Sequence, residues 1–531
     1  MNNILIKNGM VVSPNGVKKQ DVLLRDGKVA ALGDAAAFTG CDGAEVVDAA
    51  GCHVFPGLIE PHMHIKAPLG GITDIMDFDS AAKCAAFGGI TTFMDFSSTL
   101  PGMALKDAVR DRLEEMKDNV LDYSVHCKVV NLVSKESMTA LMDAEMALQQ
   151  AAPADKAAPA DKAAAQAKVE RAQAVVDGEV QSHLDEIPQM IADGIPTFKL
   201  FMTYRKANVM IDDVYMLQVL AAVRDAGGRC GFHAECNAIA EYNEELFRRN
   251  NTLRWEDFPR CKPAVCEEEA VRRVLYYAEM LKAPIYFFHI STKGAVEAIR
   301  EAKKRGVDVI AETCSHYLTL TQEKNAGEDG ILYLMSPPLR SQEDQDALWE
   351  GLADGTLSLV TSDNCSFPRW MKEESLDRGA DGKVVQDFTK VISGVSGIEE
   401  RFGLMLHEVG RHKGFTLEKV AEVLCENPAK VFGCYPRKGC LQVGSDGDVT
   451  VVNLSDNSYK LTLDNLHYPV YGQDGVGKAG LEYAVYGDHV AGGRVVHTIR
   501  RGEFLVRDGK YQGEDGVPAA SAGVRLIRKL H

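Results

Sequence analysis

Short apolar runs broken by Asn-Gly and Asp-Gly steps open the chain: ILIKNGMVV, then DVLLRDGKVAALG, then EVVDAAGCHVFPG. Such steps between apolar runs are hairpin signals, because both residues of the tight turn can adopt positive φ. The C-terminal stretch repeats the pattern in DGDVTVVNL and GGRVVHTIRRGEFLVRDGKYQG. Two β-rich ends around a different middle predict one small β-sandwich domain, built from residues 1–55 and 437–515, with a tail over 516–531.

Residues 56–436 alternate β-like apolar runs with helix-like spacers, the rhythm of a parallel sheet with crossover helices. Eight candidate strands fall at 57–64, 89–96, 123–131, 197–203, 229–235, 284–291, 308–318 and 358–365. Helical spacers include 213–226, 267–281, 293–305 and 342–352. The α/β class is expected, as a (β/α)8 TIM-like barrel whose active site sits at the C-terminal ends of the strands. One stretch breaks the rhythm: residues 152–163 read APADKAAPADKA, inside an Ala/Lys-rich surface insert at about 150–180. Alanine favours helix, the prolines interrupt it, and there is little apolar surface to bury, so a solvent-facing insertion in a barrel loop is expected.

Bulk properties narrow the setting. A chain of 531 residues with 46% hydrophobic and 25% charged residues has the make-up of an ordinary globular enzyme. Its net charge of −17 disfavours nucleic acid or an anionic membrane as partner, since both require basic surface. The start, MNNILIKNGMVVSPNG, lacks a basic segment followed by an apolar core, and no apolar run has membrane-spanning length. Thirteen cysteines, an odd number without CxxC pairs, read as reduced thiols, so a cytoplasmic location is expected.

The chemistry begins with PGLIEPHMH at residues 56–64. On a strand, positions i and i+2 share a face, so His62 and His64 point the same way and can chelate one divalent metal. Taken alone, the pair reads equally as two hydrogen-bonded polar histidines. Three more candidates shift the balance: His233 in CGFHAE, His289 in IYFFHIST and Asp363 in LVTSDN each close a different candidate strand. A barrel would bring all of these ends together. Lys199 sits inside the apolar run TFKLFM, where a charged amine is costly. A snorkelling or ion-paired lysine is the plain account. A neutral amine can instead add CO2, giving a carbamate able to bridge two metals.

The set PGLIEPHMH, FKLFMTY, HAE, FFHIST, SPPLR, TSDN and SGVSGIEER resembles the dihydropyrimidinase/hydantoinase branch of the amidohydrolases, over roughly residues 1–145 and 183–515. The resemblance implies a cyclic amidase opening a hydantoin-type or dihydropyrimidine-type ring, a cyclic ureide or imide, to an N-carbamoyl amino acid. It implies two divalent metals per chain. His62, His64 and Asp363 would hold one and His233 and His289 the other, with the CO2-derived carbamate on Lys199 (N6-carboxylysine) bridging them. Zinc suits the nitrogen and oxygen donors, and Mn2+ or Fe2+ would also serve. It further implies that Tyr204 donates a hydrogen bond to the developing oxyanion, that Asp363 moves a proton to the leaving nitrogen, and that the backbone at Ser336 and Ser393 holds the ureide edge. A homotetramer is the implied assembly. Apart from the resemblance, Tyr204 reads simply as a loop aromatic.

Four positions depart from the family pattern: Glu60 where aspartate is usual, Asn364 where histidine is common, Ser393 where asparagine is common, and Lys66 where an acidic or amide residue is usual. Lys66 either pairs with an acidic substituent of the substrate or is a solvated loop lysine. Competing assignments are a dihydroorotase- or allantoinase-like ring hydrolase, a non-catalytic interaction protein of the same family, and a mononuclear deaminase, which has no need of Lys199.

Overall fold

A computed structural model describes residues 3–530, except 40, 70–71, 101, 131, 152–158, 471, 473–479 and 515–518. Eight parallel strands form one sheet in strictly sequential order: β1 (Leu58–Glu60), β2 (Ile90–Phe96), β3 (Asp122–Lys128), β4 (Thr197–Phe201), β5 (Arg229–His233), β6 (Ile285–Phe287), β7 (Val309–Cys314) and β8 (Leu359–Thr361). Helices follow the strands, among them Phe78–Phe87, Asp213–Asp225, Ala264–Leu281, Lys293–Lys304 and Gln342–Asp354. With helices outside and side chains filling the interior, the strands are buried on both faces; all seven residues of β2 are buried. This is the expected TIM-like barrel.

The barrel is closed between β8 and β1 by contacts just beyond the two strands. Met63 bridges Asn364 in parallel register, and the His64 amide donates to the Asn364 carbonyl at 2.8 Å. Beneath that seam the fully buried Arg401 guanidinium donates to the carbonyls of Val360 (2.8 Å) and Ile59 (3.0 Å), one on each side.

Two further sheets come from the chain ends. Ile4–Lys7 pairs with Asp21–Arg25 and Glu45–Asp48, and Asp21–Arg25 also pairs with Lys28–Gly33. A seven-stranded sheet joins both termini where Val449–Asn453 runs antiparallel to His53–Pro56. The dipeptides Asp26-Gly27 and Asp508-Gly509 both take positive φ at tight hairpin turns, as their sequence signals require. Valine, leucine and isoleucine side chains from both ends, including Ile4, Val22, Leu24, Val54, Val451 and Ile499, form a separate buried cluster.

The insert lies between β3 and β4. Its first APADKA copy and the first residue of the second lie outside the described residues. Lys135–Gln150 and Pro159–Ala192 are helices on either side. Proline at the first position of a helix is tolerated because that amide has no intrahelical partner; Pro188 lies inside the second helix. Residues 160–164 are exposed, whereas Val176, Val180, Ile187 and Met190 bury against the barrel. The insert is thus a surface extension of a barrel helix. The C-terminal segment is also tied down: Leu526 and Val524 bond to the backbone of Tyr123, and the buried Arg528 donates to Ser124 Oγ (2.8 Å) and the Val125 carbonyl (2.6 Å). All thirteen cysteines are thiols, ten of them buried. Among the described residues, no helix is long and apolar enough to cross a membrane.

At the N-terminal end of the barrel, Lys438 joins these parts. Its buried ammonium contacts Asp122 (2.5 Å), Asp448 (2.6 Å) and Asp446 (3.0 Å), linking β3 to the run that enters the seven-stranded sheet. Removing one partner of a buried ion cluster leaves the remaining charges uncompensated, at a cost of about 3–5 kcal/mol. Lys438→Met is therefore expected to lower stability by about that amount, measured by urea unfolding followed by circular dichroism. A midpoint unchanged from the parent protein would contradict this role.

Candidate metal centre

The candidate ligands stand at the C-terminal ends of the barrel strands. The ladder of β1 ends at Glu60, so His62 and His64 lie past the strand rather than on it as the sequence suggested. The Met63–Asn364 bridge between them holds this stretch, and both imidazoles reach the same carboxylate oxygen. His62 Nε2 lies 3.0 Å from Asp363 Oδ1, and His64 Nε2 lies 3.3 Å from the same oxygen. Ligand atoms of His62, His64 and Asp363 all fall within 4.8 Å of one another.

Lys199, on β4, reaches into this group. Its Nζ is 3.1 Å from His62 Nε2 and packs over the rings of Phe96 and Phe288. It is 2% exposed, and among the described residues no carboxylate forms an ion pair with it. Burial pulls its pKa down to about 8, against the opposing pull of Asp363 and Glu312. About a tenth of the amine is then neutral at pH 7, the form able to add CO2, against well under a hundredth for an ordinary lysine.

His233, ending β5, and His289, just after β6, form a second pair with ring centroids 4.4 Å apart. His289 Nε2 is buried and has no hydrogen-bond partner. A buried nitrogen without a hydrogen-bond partner, beside a second histidine, has a lone pair free to take a cation. Burial holds the His64 pKa down to about 3 and lowers those of His233 and His289, so these imidazoles present lone pairs rather than charge. Burial opposes ionisation of Asp363, but His62 and His64 hold its carboxyl well below the usual range. The unprotonated His64, His233 and His289, the Asp363 carboxylate, and His62, whose pKa Asp363 and Glu312 raise against its burial, form a donor set that fits divalent metals.

Behind the candidate ligands stand carboxylates that sequence reasoning did not single out. Glu312, on β7, hydrogen-bonds His62 Nδ1, fixing the ring with Nε2 turned toward Asp363 and Lys199. The same carboxylate accepts from the Tyr286 hydroxyl, from Thr361 Oγ1 (3.0 Å) and from the His289 amide (3.2 Å). Glu235 accepts from His233 Nε2 at 2.7 Å, leaving Nδ1 for a metal. Such partners fix the tautomer and orientation of a metal-binding imidazole. Glu235 was visible within HAE; Glu312 carried no local signal, lying inside an apolar strand far along the chain.

The departures from the family pattern have structural places. Glu60 is buried and accepts from the amides of His62 (3.0 Å) and Ser362 (3.1 Å), with Arg401 Nε 3.3 Å away. It therefore ties both ends of the His62–Asp363 contact to one side chain. Asn364 turns its Oδ1 to the Gly397 amide (3.1 Å), bracing the loop that carries Ser393. That loop meets the Ser336 segment where the Gly394 amide donates to the Leu334 carbonyl at 3.0 Å. Gly394 has φ +149°, and a Cβ there would stand 2.8 Å from the Cys365 carbonyl, so glycine is required for the approach. Ser336 and Ser393 are both half-buried. Tyr204 follows β4 in left-handed backbone (φ 69°), its ring centroid 5.2 Å from that of His233 and its phenol paired with the Ser336 side chain. Lys66 is exposed, and no ion pair involves it among the described residues.

Comparison with known proteins agrees with this geometry. Residues 53–505 match the Amidohydrolase family. The chain is 32% identical over 517 residues to a D-hydantoinase of Ralstonia pickettii, covering 96% of this chain and 97% of that one. It is 30% identical to a D-hydantoinase of Geobacillus stearothermophilus, over 96% and 94% of the two chains. Among solved structures it resembles a D-hydantoinase (TM-score 0.81, 29% identity, 99% of each chain) and a dihydropyrimidinase from Brevibacillus agri (TM-score 0.81, 27% identity, 99% of each chain). With eight sequential barrel strands, the His62–His64–Asp363 group at their C-terminal ends and this likeness over nearly its whole length, the chain belongs to the amidohydrolase family.

Proposed function

We propose that this protein is a binuclear cyclic amidase, opening the amide bond of a hydantoin-type or dihydropyrimidine-type ring to an N-carbamoyl amino acid. The observation that carries the proposal is Lys199: a buried amine 3.1 Å from one candidate metal ligand, without a carboxylate ion-pair partner among the described residues, and near enough to His233 and His289 to help lower their pKa values. A buried structural lysine without a counter-ion is held by carbonyl oxygens, as Lys372 is by those of Leu334, Ile392 and Gly394; Lys199 has His62 Nε2 as its hydrogen-bond partner instead, which suits an amine that becomes a carbamate.

His62, His64 and Asp363 would hold one ion and His233 and His289 the other, with Lys199, as carbamate, serving both. Two divalent cations held there, zinc foremost, would supply Lewis-acid chemistry that makes a water nucleophilic at neutral pH. The remaining work falls to the chain. Asp363, kept ionised by the two histidines, is the base that takes a proton from the attacking water and returns it to the leaving ring nitrogen. Burial raises the Tyr204 pKa, so its hydroxyl stays protonated and can donate to the developing oxyanion. Backbone groups at Ser336 and Ser393 hold the ring amide, and the mouth beside Lys66 receives the ring substituent. D-hydantoinases and a dihydropyrimidinase among the relatives favour this ring class over a dihydroorotase-like or allantoinase-like one. The thirteen thiols suit a reducing compartment such as the cytoplasm, and a homotetramer is the expected assembly.

Purified protein is expected to carry about two metals per chain and to open hydantoin or dihydrouracil. Lys199→Ala should lose bound metal and activity together; a metal-replete, active variant would refute the carbamate bridge. Turnover of carboxylated rings alone would move the assignment to a dihydroorotase-like enzyme and bring Lys66 into the site.

Tyr204→Phe removes one hydrogen bond to the transition state without touching a ligand. It should keep both metals while kcat falls by about 10²–10³. A change below threefold would make Tyr204 a loop aromatic after all.

The lowered pKa of Lys199 also makes a kinetic forecast. At fixed dissolved CO2, addition of 13C-labelled CO2 to Lys199 of the metal-free protein depends on the neutral amine. Its rate should climb about tenfold per pH unit and level off near the pKa of about 8. Continued acceleration toward pH ~10.4 would mean an unshifted lysine.

A further inference from the structure

The site contains a second lysine, Lys262, whose side chain is 12% exposed. It follows the short helix Phe258–Cys261, whose Phe258 and Cys261 are core residues, and its carbonyl accepts from Arg340, which also donates to Ser291 Oγ at 3.1 Å. The backbone of Lys262 is therefore held in place. Its Nζ lies 2.9 Å from Glu235 Oε2 and 3.0 Å from Ser336 Oγ, and 5.2 Å from the centroid of the Tyr204 ring. Glu235 Oε2 is the same oxygen that accepts from His233 Nε2 at 2.7 Å. The other oxygen, Oε1, is buried and has no partner. Among the described residues, His233 and Lys262 are thus the side chains that hold this carboxylate.

The four groups make one unbroken chain: His233 Nε2 to Glu235 Oε2 to Lys262 Nζ to Ser336 Oγ, with Tyr204 packed beside its last two members. One end is a candidate metal ligand and the other is the seat proposed for the ring amide. We infer that Lys262 is a positioning residue, which sets the register between the His233 side of the centre and the Tyr204/Ser336 side that receives the substrate. The inference rests on the cyclic amidase reading for what is bound at the Ser336 end. The link to His233 stands without it.

A flexible or misplaced donor at this point would spoil the transition state more than ground-state binding, because an oxyanion donor must meet a position occupied only during reaction. It would also release Glu235, and loss of such an outer partner typically weakens metal binding or activity by about 10- to 100-fold. Arginine keeps the charge and the donors; methionine keeps only the bulk.

The test compares Lys262→Met and Lys262→Arg with the parent protein. Zinc affinity is measured by chelator competition in the absence of substrate, and kcat and KM are measured with whichever ring the parent opens. Lys262→Met should show an affinity loss of about tenfold or more for the weaker-held zinc. Its kcat should fall by about 10- to 100-fold with KM within threefold, and Lys262→Arg should recover most of both. Unchanged zinc affinity and kcat in Lys262→Met would overturn the inference. So would equal losses in Met and Arg, which would mark a packing role. If the parent opens none of the rings, the functional reading fails while the zinc comparison still decides the His233 link. If Lys262→Met does not fold, Lys262→Gln is read by the same thresholds.

Discussion

The site depends on how the first and last strands of the barrel are joined. A sheet of eight strands brings its ends together only if something spans the seam, and here Arg401 and Glu60 do so at its inner end. Arg401 donates to carbonyls on β1 and β8, and Glu60 accepts amides from the residue pairs that lead to His62 and Asp363. The contact between His62 and Asp363 is therefore an outcome of barrel closure. A buried guanidinium and a buried carboxylate are each expensive alone. Together, with the surrounding backbone groups satisfying them, they turn a junction that needs no side-chain chemistry into one that positions it. Glutamate in place of the family's aspartate fits this geometry, since its two oxygens reach amides on both sides of the seam.

The same burial governs the electrostatics above the seam. Desolvation alone would neutralise every ionisable group in the mouth. It does so for His64, His233 and His289 and pulls the Lys199 pKa down, whereas Asp363 and Glu312 raise the pKa of His62 against its burial, and Asp363 and Glu235 are kept ionised by specific neighbours. The result is a set of unprotonated nitrogens facing a small number of fixed negative charges. That balance attracts divalent cations. It also explains why two lysines of the mouth differ: Lys262 has the Glu235 carboxylate beside it and keeps its proton, while Lys199 faces imidazoles and aromatic rings. In one site, a single residue type serves once as a permanent cation and once as an amine available for chemistry.

Much of this was legible in the chain. The apolar runs marked all eight barrel strands at nearly the right places, and the Asp-Gly steps marked real hairpins. The error was systematic: runs such as 57–64, 284–291 and 358–365 continue past the observed strand ends at Glu60, Phe287 and Thr361. Residues there remain buried because they line the mouth of the barrel, so hydrophobic periodicity persists after the ladder has stopped. Candidate ligands were legible because histidine and aspartate are conspicuous at the ends of apolar runs. Their supporting residues were not. Glu312, Lys262 and Arg401 act through partners 250, 27 and 341 positions away, respectively His62, Glu235 and Glu60, and no local pattern encodes such pairings.

Backbone conformation adds a last constraint. Tyr204, His289 and Asp363 all have positive φ, between 40° and 69°, a region that non-glycine residues enter at a cost of order 1–3 kcal/mol each. Three such residues in one barrel mouth are not turn chemistry, since glycine or asparagine would serve a turn better. Each stands just past the end of a different strand, where continuing in β conformation would carry its side chain along the barrel wall. The left-handed step instead turns the side chain toward the shared centre. The strain is tolerable because the neighbouring backbone is held: the His289 amide by Glu312, the Asn364 carbonyl by His64, and the Tyr204 carbonyl by the amides of Ala207 and Val209. Stability elsewhere in the barrel thus supports a geometry that the local sequence would not choose, and convergence of side chains from distant parts of the chain follows from it.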